Sequence, residues 1–255
     1  DGEALASTPT QGTLEVIGKL AAYDLVHVVA EIPGQQDSIL LTGAHLDSVP
    51  AGPGINDNGS GSALVLEMAL QAAALEQPLH TLRFAWWDGE EYGLYGSIEY
   101  GDALGTQELD RHIAYLNFDM VASPNGLPFL YDGDGSNTGL DFGGAPAPKG
   151  SADIEHLQQQ WYDGRALEYS EVSVDIPSDS YWFLYSDVPL GGVFTGADSR
   201  MTNQEAEIFG GEAGDSYDAC YHQRCDDINN LDEDLFLLVG QSSGWLLGEL
   251  MRLPD

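Results

Sequence analysis

Positive charge is what this sequence has least of: 8 of its 255 residues are Lys or Arg against 42 Asp or Glu, a formal net charge of -34. Nucleic acid and anionic membranes both require a basic face, so neither is an expected partner. Cysteine is nearly as scarce. The two present, Cys220 and Cys225, exclude a disulfide-built scaffold and leave either one short bridge or two free thiols. No apolar run approaches the roughly 18 residues of a membrane span. The chain opens at Asp1 with neither an initiator Met nor a charged-then-apolar leader, so a processed product is expected. No Ser/Pro-rich linker or fixed-period repeat interrupts the interior, which favours one large domain.

What is present suffices for a core, since 43% of residues are hydrophobic and five are Trp, too apolar a mix for disorder. Apolar, β-branched stretches at 24–32 and 38–44, separated by a Pro-Gly-Gln-Gln turn, predict two strands, and 82–87, 113–118 and 189–195 predict three more. Leu64, Val65, Met68, Ala69 and Ala72 recur at helical spacing within 59–75, with Asn58 or Ser60 as the N-cap. Further helices are expected from near Leu94 and over 152–162, 179–185 and 232–252. The Gly/Asp/Pro-rich stretch 123–151 suggests a long ordered rim loop that buries Phe129, Leu130, Tyr131 and Phe142. Strands alternating with helices predict an α/β fold, a three-layer sandwich with a mixed, largely parallel central sheet. Residues 24–255 form the expected catalytic domain, and 1–23 an extension or a remnant of a preceding region.

Chemistry-bearing side chains collect where predicted strands end: His45 and Asp47, Asp57 in the following loop, Glu90 and Glu91, and Asp119, joined late in the chain by Tyr221 and His222. Ligands of open α/β sheets bind outside the carboxyl ends of strands, so these groups can converge. With 42 acids in 255 residues any single carboxylate is weak evidence, whereas only six histidines occur. His27, His80, His112 and His156 lack an acidic companion at a strand end and are assigned to the surface or to satisfied core positions. Two imidazoles with several carboxylates and no thiolate cluster suit zinc, with cobalt or manganese as substitutes. A two-metal site requires a bridging carboxylate, terminal ligands for each ion and a free carboxylate as base. His45, Asp57, Glu91, Asp119 and His222 supply five ligands and leave Glu90 over, while Asp47 is placed to receive the other N–H of His45. Composition and spacing leave a merely acidic cleft equally open.

Six ordered segments decide between these: GAHLDSV (43–49), GPGINDNGSGSA (52–63), RFAWWDGEEYGLYGS (83–97), YLNFDM (115–120), GGVFTGA (191–197) and CYHQRCD (220–226). Together they strongly resemble the secreted co-catalytic zinc aminopeptidases of the M28 peptidase family, in the aminopeptidase Y and Streptomyces-type leucine aminopeptidase branch, over about residues 25–250. The resemblance implies two zinc ions per chain, one held by His45 and Asp119, the other by Glu91 and His222, with Asp57 bridging. It further implies Glu90 as general base, Tyr221 as hydroxyl donor to the tetrahedral oxyanion, and a cis peptide at Asp57-Asn58. Met120 and Phe194 match positions lining the pocket for a hydrophobic first residue such as Leu. Cys220 and Cys225 match a family disulfide enclosing Tyr221 and His222. The implied function is secreted, extracellular or lumenal removal of N-terminal residues from peptides by a monomer.

Two departures stand out. Ile176-Pro177-Ser178-Asp179 replaces a family segment in which Pro177 would be an Arg associated with substrate positioning, and the region that precedes the catalytic core in relatives is absent or reduced. Alternatives on the same fold are a glutaminyl cyclase, a carboxypeptidase or a non-catalytic receptor-like member; the intact ligand set weighs against each. Calcium is a further candidate ion, although no loop has EF-hand spacing. With Asp47, Asp57, Glu90, Glu91 and Asp119 assigned to the site, 42 less 5 leaves 37 acids unexplained by it. That excess is expected of a salt-adapted surface, from a marine or halophilic source.

Overall fold

The computed structural model describes residues 24–136 and 145–254. The expectations for the 1–23 extension and for Phe142 lie outside these. A seven-stranded sheet runs through the molecule in the order β1-β3-β2-β4-β7-β5-β6. Its strands are β1 (Val28–Ile32), β2 (Ile39–His45), β3 (Thr81–Trp87), β4 (His112–Phe118), β5 (Phe129–Asp132), β6 (Ser170–Ser173) and β7 (Leu190–Phe194). Strands β3, β2, β4 and β7 are mutually parallel, while β1 pairs antiparallel with β3, and β5 with β7. The mixed, largely parallel sheet is therefore as expected. The rim loop expected over 123–151 requires correction, because its Phe129–Asp132 portion is a buried strand, and β6 was not anticipated either.

Helices cover both faces, which is why β2 is buried at all seven of its positions. On one face α1 (Gly61–Ala73), α4 (Ser151–Asp163) and α7 (Glu233–Leu250) contribute Leu64, Val65, Ile154, Trp161, Val239 and Leu246 against Leu40, Phe84 and Leu116. On the other, Tyr100 of α2 (Tyr95–Ala103) and Phe183 of α5 (Tyr181–Tyr185) pack beside Leu41, Trp87 and Tyr115. Successive residues Leu40 and Leu41 thus serve opposite cores, as strand periodicity requires. The remaining helices are α3 (Thr106–Leu109) and α6 (Asn203–Phe209), the latter opened by a Thr202/Glu205 capping box. His80 and His112 are buried and hydrogen-bonded, as satisfied core histidines should be.

The start of α1 is tied to the end of β4. Asn58 Oδ1 accepts from the Gly61 N–H at 2.9 Å and from the Met120 N–H at 3.2 Å, so Asn58, one of the two anticipated caps, bridges the elements. Gly61 permits the approach, since a Cβ there would lie 2.2 Å from the Phe118 carbonyl oxygen.

Candidate metal centre

Parallel pairing aligns His45 of β2 with Trp87 of β3, so the ends of neighbouring strands deliver their next residues to one edge. Beyond β3 come Glu90 and Glu91, beyond β4 comes Asp119, and β7 ends at Phe194. The segment from Ile55 to Ser60, between β2 and α1, adds Asp57, and the Asp57-Asn58 peptide is cis. Tyr221 and His222 arrive on the loop closed by the Cys220–Cys225 disulfide, and their rings stack at 3.8 Å. Met120 and His222 both hold left-handed backbone, at φ 49° and 56°, an uncommon conformation for non-glycine residues and one that clusters at functional sites.

Two donor groups share one residue. His45 Nε2 lies 3.2 Å from Asp57 Oδ1 and 3.2 Å from Asp119 Oδ1. His222 Nε2 lies 3.1 Å from Asp57 Oδ2 and 3.0 Å from Glu91 Oε2. Each Asp57 oxygen thus faces a different histidine. Donors around tetrahedral zinc, with bonds of about 2.0–2.1 Å, stand roughly 3.3 Å apart. The separations here are close to that, and the mixed imidazole and carboxylate donors without thiolate suit zinc.

The surroundings hold these donors in place. Asp119 Oδ2 accepts from Ser178 Oγ at 2.7 Å, and Ser178 in turn accepts from Asn117 Nδ2 at 2.9 Å. Buried Asp226 accepts from the backbone N–H groups of Asn56 and Asp57 at 2.8 and 3.1 Å, fixing the turn that aims the Asp57 carboxyl. The expected contact between Asp47 and His45 is made differently from the expectation. His45 Nδ1 is 3.1 Å from the Asp47 backbone carbonyl but 3.7 Å from its carboxylate. That carboxylate instead accepts from the N–H groups of Glu90 and Glu91, at 3.1 and 3.3 Å.

Electrostatics reflect many acids in a small, dry space. Burial, reinforced by Asp119, Asp179 and Glu91 and partly offset by His45, pushes the Glu90 carboxyl up to about 9. Burial and the neighbouring Asp57 charge raise Glu91 to about 7. Burial draws His45 down, but the Asp119 charge and hydrogen bond, with the nearby Asp47 and Asp57 carboxylates, prevail and hold it well above its ordinary value. Asp179, fully buried, is pushed up to about 7 by burial despite the compensating His45 charge. The Tyr221 hydroxyl is raised by burial and then by Asp57 and Asp119, so it stays protonated and remains a donor.

His45, Asp57, Glu90, Asp119, Tyr221 and His222 line a cleft of about 170 Å³ with Met120, Ile176, Pro177 and Phe194 as its apolar wall. All the residues anticipated for the site converge here. Asn56 and Asp226, though inside the ordered motifs, and Ser178 and Asp179, though named in the departing segment, were given no role from the sequence, because what they support is visible only in their long-range contacts. A second acidic group, Asp132, Asp134 and Glu155, lies elsewhere. Hydrogen bonds account for its position, since Glu155 Oε2 accepts from the N–H groups of Gly133 and Asp134 at 2.8 and 3.0 Å.

Comparison with known proteins agrees with this geometry. Residues 27–243 match the model of peptidase family M28, and the chain belongs to that family. An aminopeptidase of Pseudomonas aeruginosa (strain UCBPP-PA14) is 48% identical over 210 residues, covering 82% of this chain and 38% of that protein. Leucine aminopeptidase 2 of Trichophyton equinum is 38% identical over 257 residues, covering 99% of this chain and 51% of that protein. The chain therefore spans about half or less of the length of these relatives. In fold it is similar to a zinc aminopeptidase from Bacillus subtilis, with a TM-score of 0.71 at 21% identity over 89% of this chain and 50% of that one. Porphyromonas gingivalis glutaminyl cyclase shares the fold too, with a TM-score of 0.65 at 15% identity over 89% of this chain and 78% of that one.

Proposed function

We propose that this chain is the catalytic part of a secreted aminopeptidase that works with two zinc ions and removes hydrophobic first residues such as Leu. The observation that carries the reading is the division of Asp57, whose two oxygens stand 3.2 and 3.1 Å from His45 and His222 respectively. His45 and Asp119 would hold one ion, Glu91 and His222 the other, with Asp57 bridging. Two such ions supply Lewis acidity, which lowers the pKa of water and polarises a scissile carbonyl. Glu90 takes the proton of the attacking water and passes it to the leaving amine. The Tyr221 O–H, kept protonated by its buried acidic surroundings, donates to the developing oxyanion. Met120 and Phe194 receive the first side chain, and the acidic floor attracts the cationic α-amine. The names of the P. aeruginosa and T. equinum relatives support the same activity. The single bridge between Cys220 and Cys225 supports an oxidising, extracellular setting, and no described helix is long and apolar enough to cross a membrane.

The test is hydrolysis of leucine p-nitroanilide by protein of measured metal content, with and without a chelator. Turnover at close to two zinc ions per chain, abolished by the chelator and restored by zinc, is expected. Activity that survives chelation, or full activity at less than one zinc, would overturn the two-ion reading.

Habitat forms part of the same reading. With 37 acids unassigned to the site and 8 basic residues in all, repulsion between surface carboxylates opposes compactness until salt screens it. The Debye length shrinks from about 10 Å at 0.1 M to about 3 Å at 1 M. The melting temperature should therefore rise by several degrees between these concentrations, and a midpoint indifferent to salt removes the halophilic assignment.

A further inference from the structure

A path of hydrogen bonds runs from the middle of the sheet to one of the candidate ligands. Trp87 Nε1 donates to Tyr115 Oη at 2.9 Å, and Tyr115 Oη donates to Asn117 Oδ1 at 2.7 Å. Asn117 Nδ2 donates to Ser178 Oγ at 2.9 Å, and Ser178 Oγ donates to Asp119 Oδ2 at 2.7 Å. The other Asp119 oxygen, Oδ1, is the one that faces His45. Trp87, Tyr115 and Asn117 are wholly buried and Ser178 is 1% exposed, so bulk water does not compete for these bonds. Trp87 on β3 reaches Tyr115 on β4 across the intervening strand β2. Gly43 of β2 leaves room for that contact, since a Cβ there would lie 2.6 Å from Tyr115 Oη and 2.7 Å from Trp87 Nε1.

The path has one direction. An indole N–H can only donate, so Tyr115 accepts from it and has a single proton left for Asn117. That fixes the Asn117 amide with its oxygen towards Tyr115 and its NH2 towards Ser178, which accepts and keeps its own proton for Asp119. A serine hydroxyl without such a donor behind it is free to turn, and Asp119 Oδ2 then loses its partner. We propose that Trp87, Tyr115 and Asn117 are positioning residues that hold the Ser178 hydroxyl as a donor to Asp119, leave Oδ1 as the ligand atom of that carboxylate, and so set the zinc affinity of the position shared by His45 and Asp119. Aligned hydrogen bonds in a dry interior polarise one another, which carries the effect from Trp87 to Asp119. Filling the core does not call for this arrangement, because apolar side chains of similar volume need no desolvated N–H or hydroxyl. The proposal rests on the two-zinc reading of the site.

The test is zinc affinity, measured by competition with a chromophoric chelator in a His222→Ala background that leaves the His45, Asp57 and Asp119 donors. Ser178→Ala should weaken binding there by about 10–100-fold, the usual effect of removing a group that supports a metal ligand. Tyr115→Phe removes one oxygen that touches no ligand, and should still weaken it by about three- to tenfold, a part of the same effect. The double variant should bind no more weakly than Ser178→Ala alone, because both changes act on one path. Tyr131→Phe is the control, since its hydroxyl accepts from Asn117 Nδ2 at 3.0 Å but lies on a side branch, and zinc affinity should be unaltered. Trp87→Phe removes the first donor, should act in the same direction as Tyr115→Phe, and serves in its place if that variant does not fold. Unaltered affinity in Tyr115→Phe, effects that multiply in the double variant, or an equal loss in Tyr131→Phe each overturn the role of the path. A wild type that takes up no zinc removes the two-zinc reading itself, whereas two ions held equally by wild type and Tyr115→Phe remove this proposal alone.

Discussion

Replacing Glu90 by Gln should lower kcat about 10²–10⁴-fold, the usual contribution of a positioned general base, with zinc content unchanged. Glu90 lines the cleft beside His45, Asp57 and Asp119, yet its carboxyl touches neither histidine of the donor groups. Its backbone is held by Asp47 through the N–H at 3.1 Å, so Gln should occupy the same place. What Gln lacks is a proton acceptor of the right strength. The carboxyl stands at about 9 because burial and surrounding acids oppose its charge. Zinc held by Asp57 and Glu91 would act in the opposite direction and lower it towards the range a base needs. Measured kcat with leucine p-nitroanilide, alongside metal analysis of the same sample, decides the matter. Near-normal turnover in E90Q removes Glu90 as the base, and loss of zinc makes it a ligand instead.

Asp226→Ala should be the most destabilising change near the site, by about 2–6 kcal/mol, judged from roughly 1–3 kcal/mol for each of the two buried backbone donors left without an acceptor. The Asp226 carboxyl accepts from the N–H groups of Asn56 and Asp57 and, at 3.2 Å, from Asn230 Nδ2. Asp226 is only 2% exposed, so water cannot readily take its place. A loss of this size is a large part of the 5–15 kcal/mol that stabilises a typical domain. Because the same contacts aim Asp57, zinc affinity should fall about 10–100-fold as well, as when groups supporting metal ligands are removed. Urea unfolding of the metal-free protein isolates the first effect and zinc titration the second. A stability change under about 1 kcal/mol would show that the backbone donors find other partners.

Much of the fold was legible from periodicity. The strands containing Leu40, Phe84, Leu116 and Val193 lie in apolar runs that need burial on two faces, and α1 and α7 carry apolar residues at helical spacing. Strands β5 and β6 were not legible. Each has only four residues, β5 is bounded by Pro128 and Gly133, and β6 includes Glu171, so neither run is long enough to stand out as a strand. They become strands because β7 offers an edge on which Phe129 pairs with Phe194, and β5 then offers one to Ser170.

The site divides along the same line. His45, Glu91 and Asp119 follow strands whose apolar character is visible locally, and the ordered motifs identified Asp57 and His222 beside them. Asp226 closes the CYHQRCD segment, but its role was not legible there, because it lies in contacts with residues 169 and 170 positions away. Likewise, only the folded chain shows that the Asp47 carboxylate holds the Glu90–Glu91 turn as well as lying 3.7 Å from the ring of His45. The sequence by itself determined the family, the sheet's central strands and the kinds of donor at their ends, since periodicity and motif order are local properties of the chain. Tertiary structure alone decided which of the described acids are buried and which donors their carboxyls accept from. Those outcomes depend on desolvation and on distances between segments far apart in sequence, which no local pattern encodes.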